Sequence, residues 1–230
     1  QYTLNLRKKY NVNFDIISKE NIEKIEPSLA PVYYNGIVLR GEKFTRSPIK
    51  ITQKIFDNFI KNGGHFVKSK IDLILKKEDS LFLKYNEKEH RFNKVVVAAG
   101  VWSNVLAKTI GDNFPLDTER GYHIIFENKN NLLNRPVGWA KTGFYMTPME
   151  DGIRVAGTVE IAGLKKPMNK NMLSMMEETA RSLLPKLGKV KSQWMGFRPT
   201  LPDSLPVIGE SQKCKNVYYA FGHQHLGLSL

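Results

Sequence analysis

The sequence predicts a mixed α/β fold, alternating α/β in its first half and α+β in its second, and three observations carry that prediction. Residues 48–62 have one apolar helical stripe, an unbroken apolar run leads into Gly100, and from residue 121 short β-rich runs alternate with turn residues. In chain order, 18–29 has helical spacing and ends before Pro31, and Ile37, Val38 and Leu39 form a short strand. In 48–62, Ser47 suits the N-cap and Pro48 the first turn. Ile51, Ile55, Phe56, Phe59 and Ile60 recur at helical spacing until Gly63-Gly64 closes the helix. Phe66-Val67 reads as a short strand, and 71–75 with 81–85 as a hairpin across Lys-Lys-Glu-Asp-Ser. The run Lys94-Val95-Val96-Val97-Ala98-Ala99 lacks polar alternation, which predicts a strand buried on both faces. After Gly100, Val101, Val105, Leu106 and Ile110 return to helical spacing, so about 45–110 is one α/β unit.

From 121 the pattern changes. Tyr122 to Phe126, Phe144 to Thr147 and Ile153 to Val159 are strand-like, and turns such as Glu150-Asp151-Gly152 predict antiparallel pairing. A helix over 169–184 interrupts them, with Met172, Leu173, Met176, Ala180, Leu183 and Leu184 apolar and Pro185 as its stop. Its four methionines, Met168, Met172, Met175 and Met176, read as core filler. Leu205 to Ile208 and Val217 to Phe221 are the last strands, and the whole reads as two intermixed subdomains.

The chain has 230 residues, enough for one large domain or two small ones with a real core. Thirty-five Lys and Arg oppose 22 Asp and Glu, for a net charge of +13. Twenty-six of the 35 are Lys, scattered as Lys8-Lys9, Lys76-Lys77, Lys165-Lys166 and similar pairs without one dense block interleaved with aromatics. That distribution describes a solvated surface and argues against a nucleic-acid partner. No apolar run approaches the roughly 20 residues of a membrane span, so an integral membrane segment is not expected. A single cysteine, Cys214, fits a reducing compartment; between Lys213 and Lys215 it reads as an exposed, inert thiol. His223 and His225 stand two apart without acidic or thiol neighbours, so no metal site is expected.

Three stretches exceed what packing requires. Val95-Val96-Val97-Ala98-Ala99-Gly100-Val101-Trp102-Ser103 carries a strand through small residues into a glycine turn, where something flat or phosphorylated can approach the backbone. Gly196-Phe197-Arg198-Pro199-Thr200-Leu201-Pro202-Asp203-Ser204-Leu205-Pro206-Val207-Ile208-Gly209 holds an arginine on a stiff segment, as a bidentate carboxylate clamp requires. Ala220-Phe221-Gly222-His223-Gln224-His225-Leu226-Gly227-Leu228-Ser229 ends a strand in a glycine-bounded turn at which a helix is expected to begin, offering backbone N–H groups to an anion.

In this order the three stretches resemble the FAD-dependent D-amino-acid oxidase superfamily, closest to its bacterial D-amino-acid dehydrogenase branch. The resemblance covers essentially the whole chain. It implies part of a glutathione-reductase-type FAD-binding domain (about 45–110 and 197–230) intermixed with an antiparallel-sheet substrate domain (about 1–44 and 111–196). The family's opening GxGxxG loop does not occur in these residues, and its last helix is only begun at Leu230, so a piece of a longer flavoenzyme is expected. The implied reaction is oxidative deamination of a D-amino acid, D-hydroxyproline included, by hydride transfer to flavin N5, giving a 2-oxo acid and ammonia or a cyclic imine. A quinone or carrier is the implied electron acceptor, in the cytoplasm or peripherally at the inner membrane. Two alternatives stay open: an O₂-using oxidase of glycine, sarcosine or another secondary amine, and a noncatalytic fragment that does not hold FAD.

The resemblance also assigns roles. Arg198, in its GxRP setting, binds the substrate carboxylate, Tyr145 supports the same group with its hydroxyl, and His123 lines the pocket. Gly222, His223, Gly227 and Leu228 face the pyrimidine side of the flavin. Val67 meets the adenine through its backbone, and Ala99, Gly100 and Trp102 lie near the ADP moiety.

Overall fold

A computed structural model describes residues 2–128 and 131–229. Five helices are α1 (Tyr2–Lys9), α2 (Lys19–Ile25), α3 (Pro48–Lys61), α4 (Ser103–Lys108) and α5 (Lys170–Leu183). The strands are β1 (Phe14–Ser18), β2 (Asn35–Leu39), β3 (Leu73–Lys77), β4 (Ser80–Tyr85), β5 (Lys88–Phe92), β6 (Val95–Val97), β7 (Asp117–Phe126), β8 (Val137–Trp139), β9 (Phe144–Met149), β10 (Gly152–Glu160), β11 (Val190–Thr200), β12 (Val207–Glu210) and β13 (Val217–Phe221). They divide into two compact units: residues 1–48, 122–158 and 168–194, and residues 49–121, 159–167 and 195–230.

The largest sheet has five strands in the order β11-β7-β10-β9-β8, of which residues 122–126, 137–139, 144–149, 152–158 and 190–194 belong to the first unit. The expected antiparallel style holds: β10 pairs β9 with Val155 opposite Met146, and β8 pairs β9. Alternation along these strands sends Tyr122, Ile124, Phe126, Phe144, Met146, Ile153 and Val155 into a core where each is almost wholly covered. Helix α5 contributes Leu173, Met176, Ala180 and Leu183 to burial. Its start is capped by Asn169, whose side chain accepts from the Asn171 and Met172 backbone N–H groups. Of the four methionines read as filler, Met176 is in the core, whereas Met175 is exposed because it falls off the buried stripe and Met168 is exposed ahead of the helix start.

In the second unit, β12-β13-β6 form one three-stranded sheet and β3-β4-β5 another. Ile74, Leu81, Val95, Val97, Ala107, Cys214, Val217, Tyr219 and Phe221 form its core. Beneath β13, Asp112 accepts hydrogen bonds from the Tyr219 hydroxyl at 2.7 Å and from Ser211 Oγ, which in turn accepts from the Cys214 backbone N–H. Cys214 is therefore buried, not exposed as expected, and burial pushes its thiol pKa up. The adjacent lysines misled because the chain turns there and points the thiol inward.

Three local expectations change. Val95 and Val97 are buried but Val96 is 63% exposed, so β6 is covered on one face and not on both. It is an edge strand, and its open side borders an apolar recess of about 290 Å³ lined by Ile71, Ile74, Leu83, Val96 and Ala98 among others. Phe66 and Val67 lie in irregular backbone rather than a strand. Helix α3 forms as predicted, yet none of its residues is buried within the described structure.

Candidate functional site

The second unit brings the three motif stretches together. β6 and β13 run parallel, with Val95 opposite Val217 and Val97 opposite Tyr219, so both strands finish at the same end of the sheet. Ala99-Gly100 follows one and Gly222 the other, the location where open α/β sheets bind ligands. Both glycines use left-handed backbone, at φ 56° for Gly100 and 85° for Gly222. A Cβ at Gly222 would stand 2.3 Å from Leu201 Cδ1, so a larger residue there would have to push that side chain aside. Past Gly222 the chain coils into turns: the Leu226 backbone N–H donates to the His223 carbonyl at 2.9 Å, and a Cβ at Gly227 would meet His223 Cβ at 3.3 Å. The expected helix start is thus a pair of turns through Ser229.

The arginine stretch is tied to both. The Gln224 backbone N–H donates to the Pro199 carbonyl at 3.2 Å, and the Trp102 ring meets Phe197 edge-on with centroids 6.1 Å apart. Successive residues of β11 face opposite sides, so Phe197 and Arg198 point apart. On the Phe197 side lies Arg120, fully buried, its guanidinium 5.9 Å from the ring centroid. Arg120 Nη2 donates to the Lys166 carbonyl at 2.7 Å and the Pro167 carbonyl at 3.1 Å, and Nη1 stands 3.4 Å from Glu160 Oε2. A charge this deep must be compensated, and here it is spent on pinning the segment 160–167. Arg198 lies across Gly121 of β7 and is partly buried. Burial lowers its pKa while the Glu119 charge opposes that shift, and a guanidinium stays charged throughout. Val67, 57% exposed on the segment after α3, belongs to the same unit.

Tyr145 and His123 belong to the first unit. Tyr145 on β9 is 59% exposed and faces Gly138 on β8, where a Cβ would stand 2.6 Å from its ring. The ring therefore covers the bare strand beside it. His123 stacks on Trp194 with centroids 4.9 Å apart and planes 20° from parallel. Burial, reinforced by the Arg154 charge and opposed by Asp151, pushes its pKa down to about 4, so the imidazole is neutral at pH 7. That suits a flat pocket wall or an acceptor, not a cation.

Sequence reasoning missed Arg120, Gly121 and Gly138. The available signal was a glycine inside an otherwise apolar strand, in Arg120-Gly121-Tyr122 and Val137-Gly138-Trp139, which marks close approach of another group. The second unit's residues fit FAD. Two parallel strand ends carry positive-φ glycines, and nothing stands within 4 Å of a Cβ added at Gly100, so a flat or phosphorylated group can approach the main chain there. Among the described residues there is no group of three or more His, Cys, Asp or Glu that could hold a metal ion.

Residues 2–230 match the model of the DAO family, described as FAD dependent oxidoreductase. A D-amino-acid oxidase of Bradyrhizobium diazoefficiens is 32% identical over 97% of this chain and 54% of its own length. A glycine oxidase of Pseudomonas putida is 33% identical over 60% of this chain and 38% of its own. The crystal structure of glycine oxidase from Bacillus cereus superposes with a TM-score of 0.88 at 20% identity, covering 99% of this chain and 63% of that one. The chain thus spans about half the length of the D-amino-acid oxidase it matches end to end.

Proposed function

Because this chain belongs to the FAD dependent oxidoreductase family, we propose that it carries the carboxylate clamp and part of the flavin site of an enzyme that oxidises D-amino acids. The observation that carries this reading is the meeting of the motif stretches in one unit, through the bond from Gln224 to Pro199 and the contact of Trp102 with Phe197. FAD, when bound, would supply the two-electron acceptor for the hydride from the substrate Cα–H, while the amine nitrogen gives a proton to solvent and Cα–N becomes C=N. Gly222, His223, Gly227 and Leu228 border its pyrimidine side, Ala99, Gly100 and Trp102 its ADP portion, and Val67 its adenine. In this assignment 45–110 and 197–230 bind the cofactor, and 1–44 with 111–196 bind the substrate.

The protein's own part is orientation. The Arg198 fork takes the substrate carboxylate in two parallel charge-assisted hydrogen bonds, and a supporting role for the Tyr145 hydroxyl is proposed on the family resemblance alone. His123, neutral and stacked on Trp194, bounds the pocket without adding charge. Holding the carboxylate aims Cα–H, and no protein base is needed when the amine arrives uncharged. The product is an imine that water converts to a 2-oxo acid and ammonia, or a cyclic imine from a D-hydroxyproline-like substrate.

No helix among the described residues is long and apolar enough to cross a membrane. We infer a quinone or carrier as the electron acceptor, with the reaction in the cytoplasm or peripherally at the inner membrane. The likeness to glycine oxidases supports a second reading, oxidation of glycine or a secondary amine by O₂. Turnover of D-alanine, D-proline and glycine by the FAD-reconstituted protein, under air and with an artificial electron acceptor, separates the two. Arg198→Ala is expected to lower kcat/KM about 10- to 10²-fold, the loss of a charge-assisted bond, and Arg198→Lys to fall as well because the fork is gone. An unchanged kcat/KM in both variants removes the clamp.

A further inference from the structure

Glycine usually earns its place in a strand by backbone angle or by a neighbouring main chain. Gly121 does neither. It is absent from the positive-φ residues, so alanine fits its backbone. The three atoms nearest to an added Cβ are all from one guanidinium: Arg198 Nη2 at 2.4 Å, Cζ at 2.5 Å and Nε at 2.9 Å. By contrast, a Cβ at Gly152 would strike the Phe126 carbonyl oxygen and one at Gly188 the Glu127 carbonyl oxygen. Gly121 lies on β7, next to β11 in the sheet, and is itself buried. Glu119, two residues earlier and so on the same face of β7, adds a negative charge that favours the guanidinium there.

We propose that Gly121 is a positioning residue, whose bare backbone is the seat across which Arg198 lays its guanidinium and so fixes where the carboxylate clamp points. The inference rests on the clamp reading of Arg198. Any side chain at 121 lifts the fork: ordinary contact begins near 3.4 Å, so the nearest nitrogen must move by about 1 Å. The atoms displaced are the far end of a long side chain and not main chain, so the fold tolerates the change while the clamp does not. A displacement of that size at a substrate-orienting group costs about 10²-fold in rate.

The test is a double-mutant cycle on the FAD-reconstituted protein with D-alanine, together with propionate titration of the Arg198 Nε–H resonance by NMR. Gly121→Ala is expected to lower kcat/KM about 10²-fold, to weaken propionate binding, and to leave the melting temperature within about 2 °C. In an Arg198→Ala background the same substitution is expected to change nothing further, since its effect passes through the missing side chain. Full activity in Gly121→Ala, or an equal additional loss in the Arg198→Ala background, overturns the seat while the clamp stands. Should Arg198→Ala alone leave both kcat/KM and propionate binding intact, the clamp reading fails instead. In that case an unmoved Arg198 Nε–H resonance in Gly121→Ala refutes the seat on its own, and a shifted one upholds the packing.

Discussion

Replacing Gly152 by alanine should be among the most damaging single-methyl additions to this protein. Gly152 opens β10 at φ 149°, a backbone conformation that L side chains rarely adopt. Its Cβ would stand 2.1 Å from the Phe126 backbone oxygen and 2.9 Å from Ile125 Cγ2. Contacts below 3.0 Å are essentially never observed, so the β7 main chain must move by at least about 0.9 Å. That motion dislodges Phe126 and Ile153, both fully covered in the first unit's core. Backbone strain at positive φ costs about 1–3 kcal/mol, and disturbing a close-packed core adds about 1–3 more. Together they predict a loss of about 2–6 kcal/mol, against a total stability of about 5–15 kcal/mol for ordinary domains. Urea unfolding followed by far-UV circular dichroism measures it as a fall in midpoint at constant slope. Gly121→Ala is the internal control, because its collision is with the end of a side chain and not with main chain, and its cost should stay within about 0.5 kcal/mol. A Gly152→Ala cost below about 1 kcal/mol, or equal costs for the two variants, would refute the distinction between backbone and side-chain neighbours.

Two further outcomes follow from buried groups. His123 should titrate near 4 by NMR, well below its ordinary 6.5. The folded state then holds fewer protons than the unfolded chain between those values, so its contribution to stability is complete above pH 6.5 and is lost as pH falls toward 4. A measured value near 6.5 would contradict the burial of the imidazole against Trp194. In the second unit, Tyr219→Phe removes one hydrogen bond to Asp112 and should cost about 1 kcal/mol. Asp112→Ala strands both the Tyr219 and Ser211 hydroxyls and should cost about 3 kcal/mol. The reverse ranking would show that Asp112 is not the centre of this network.

The elements with strong local signals were readable in advance. Helix α5 has an Asn cap, a 3.6-residue apolar stripe and a proline stop, and it forms over Lys170–Leu183. The β3–β4 hairpin and the strands after residue 121 likewise follow from alternation and turn chemistry. Phe66-Val67 failed because two apolar residues without alternation or a partner do not specify a strand. Cys214 failed because flanking lysines report the charge of neighbours, whereas burial depends on the direction in which a turn points one side chain. Val96 failed because composition says a strand is apolar but not which of its faces a neighbour covers.

The sequence by itself determined the class of fold and the three stretches that carry the family likeness, since local spacing and glycine placement are enough to specify turns, stripes and strand ends. Only the tertiary structure decided which of those stretches meet. The parallel register of β6 and β13 sets two glycine turns at one sheet end, and the adjacency of β11 and β7 lays Arg198 over Gly121. Contacts between residues some 77 or more positions apart, such as Gly121 with Arg198, leave no periodicity in the chain; they arise from strand order, which is chosen by the burial of the whole sheet.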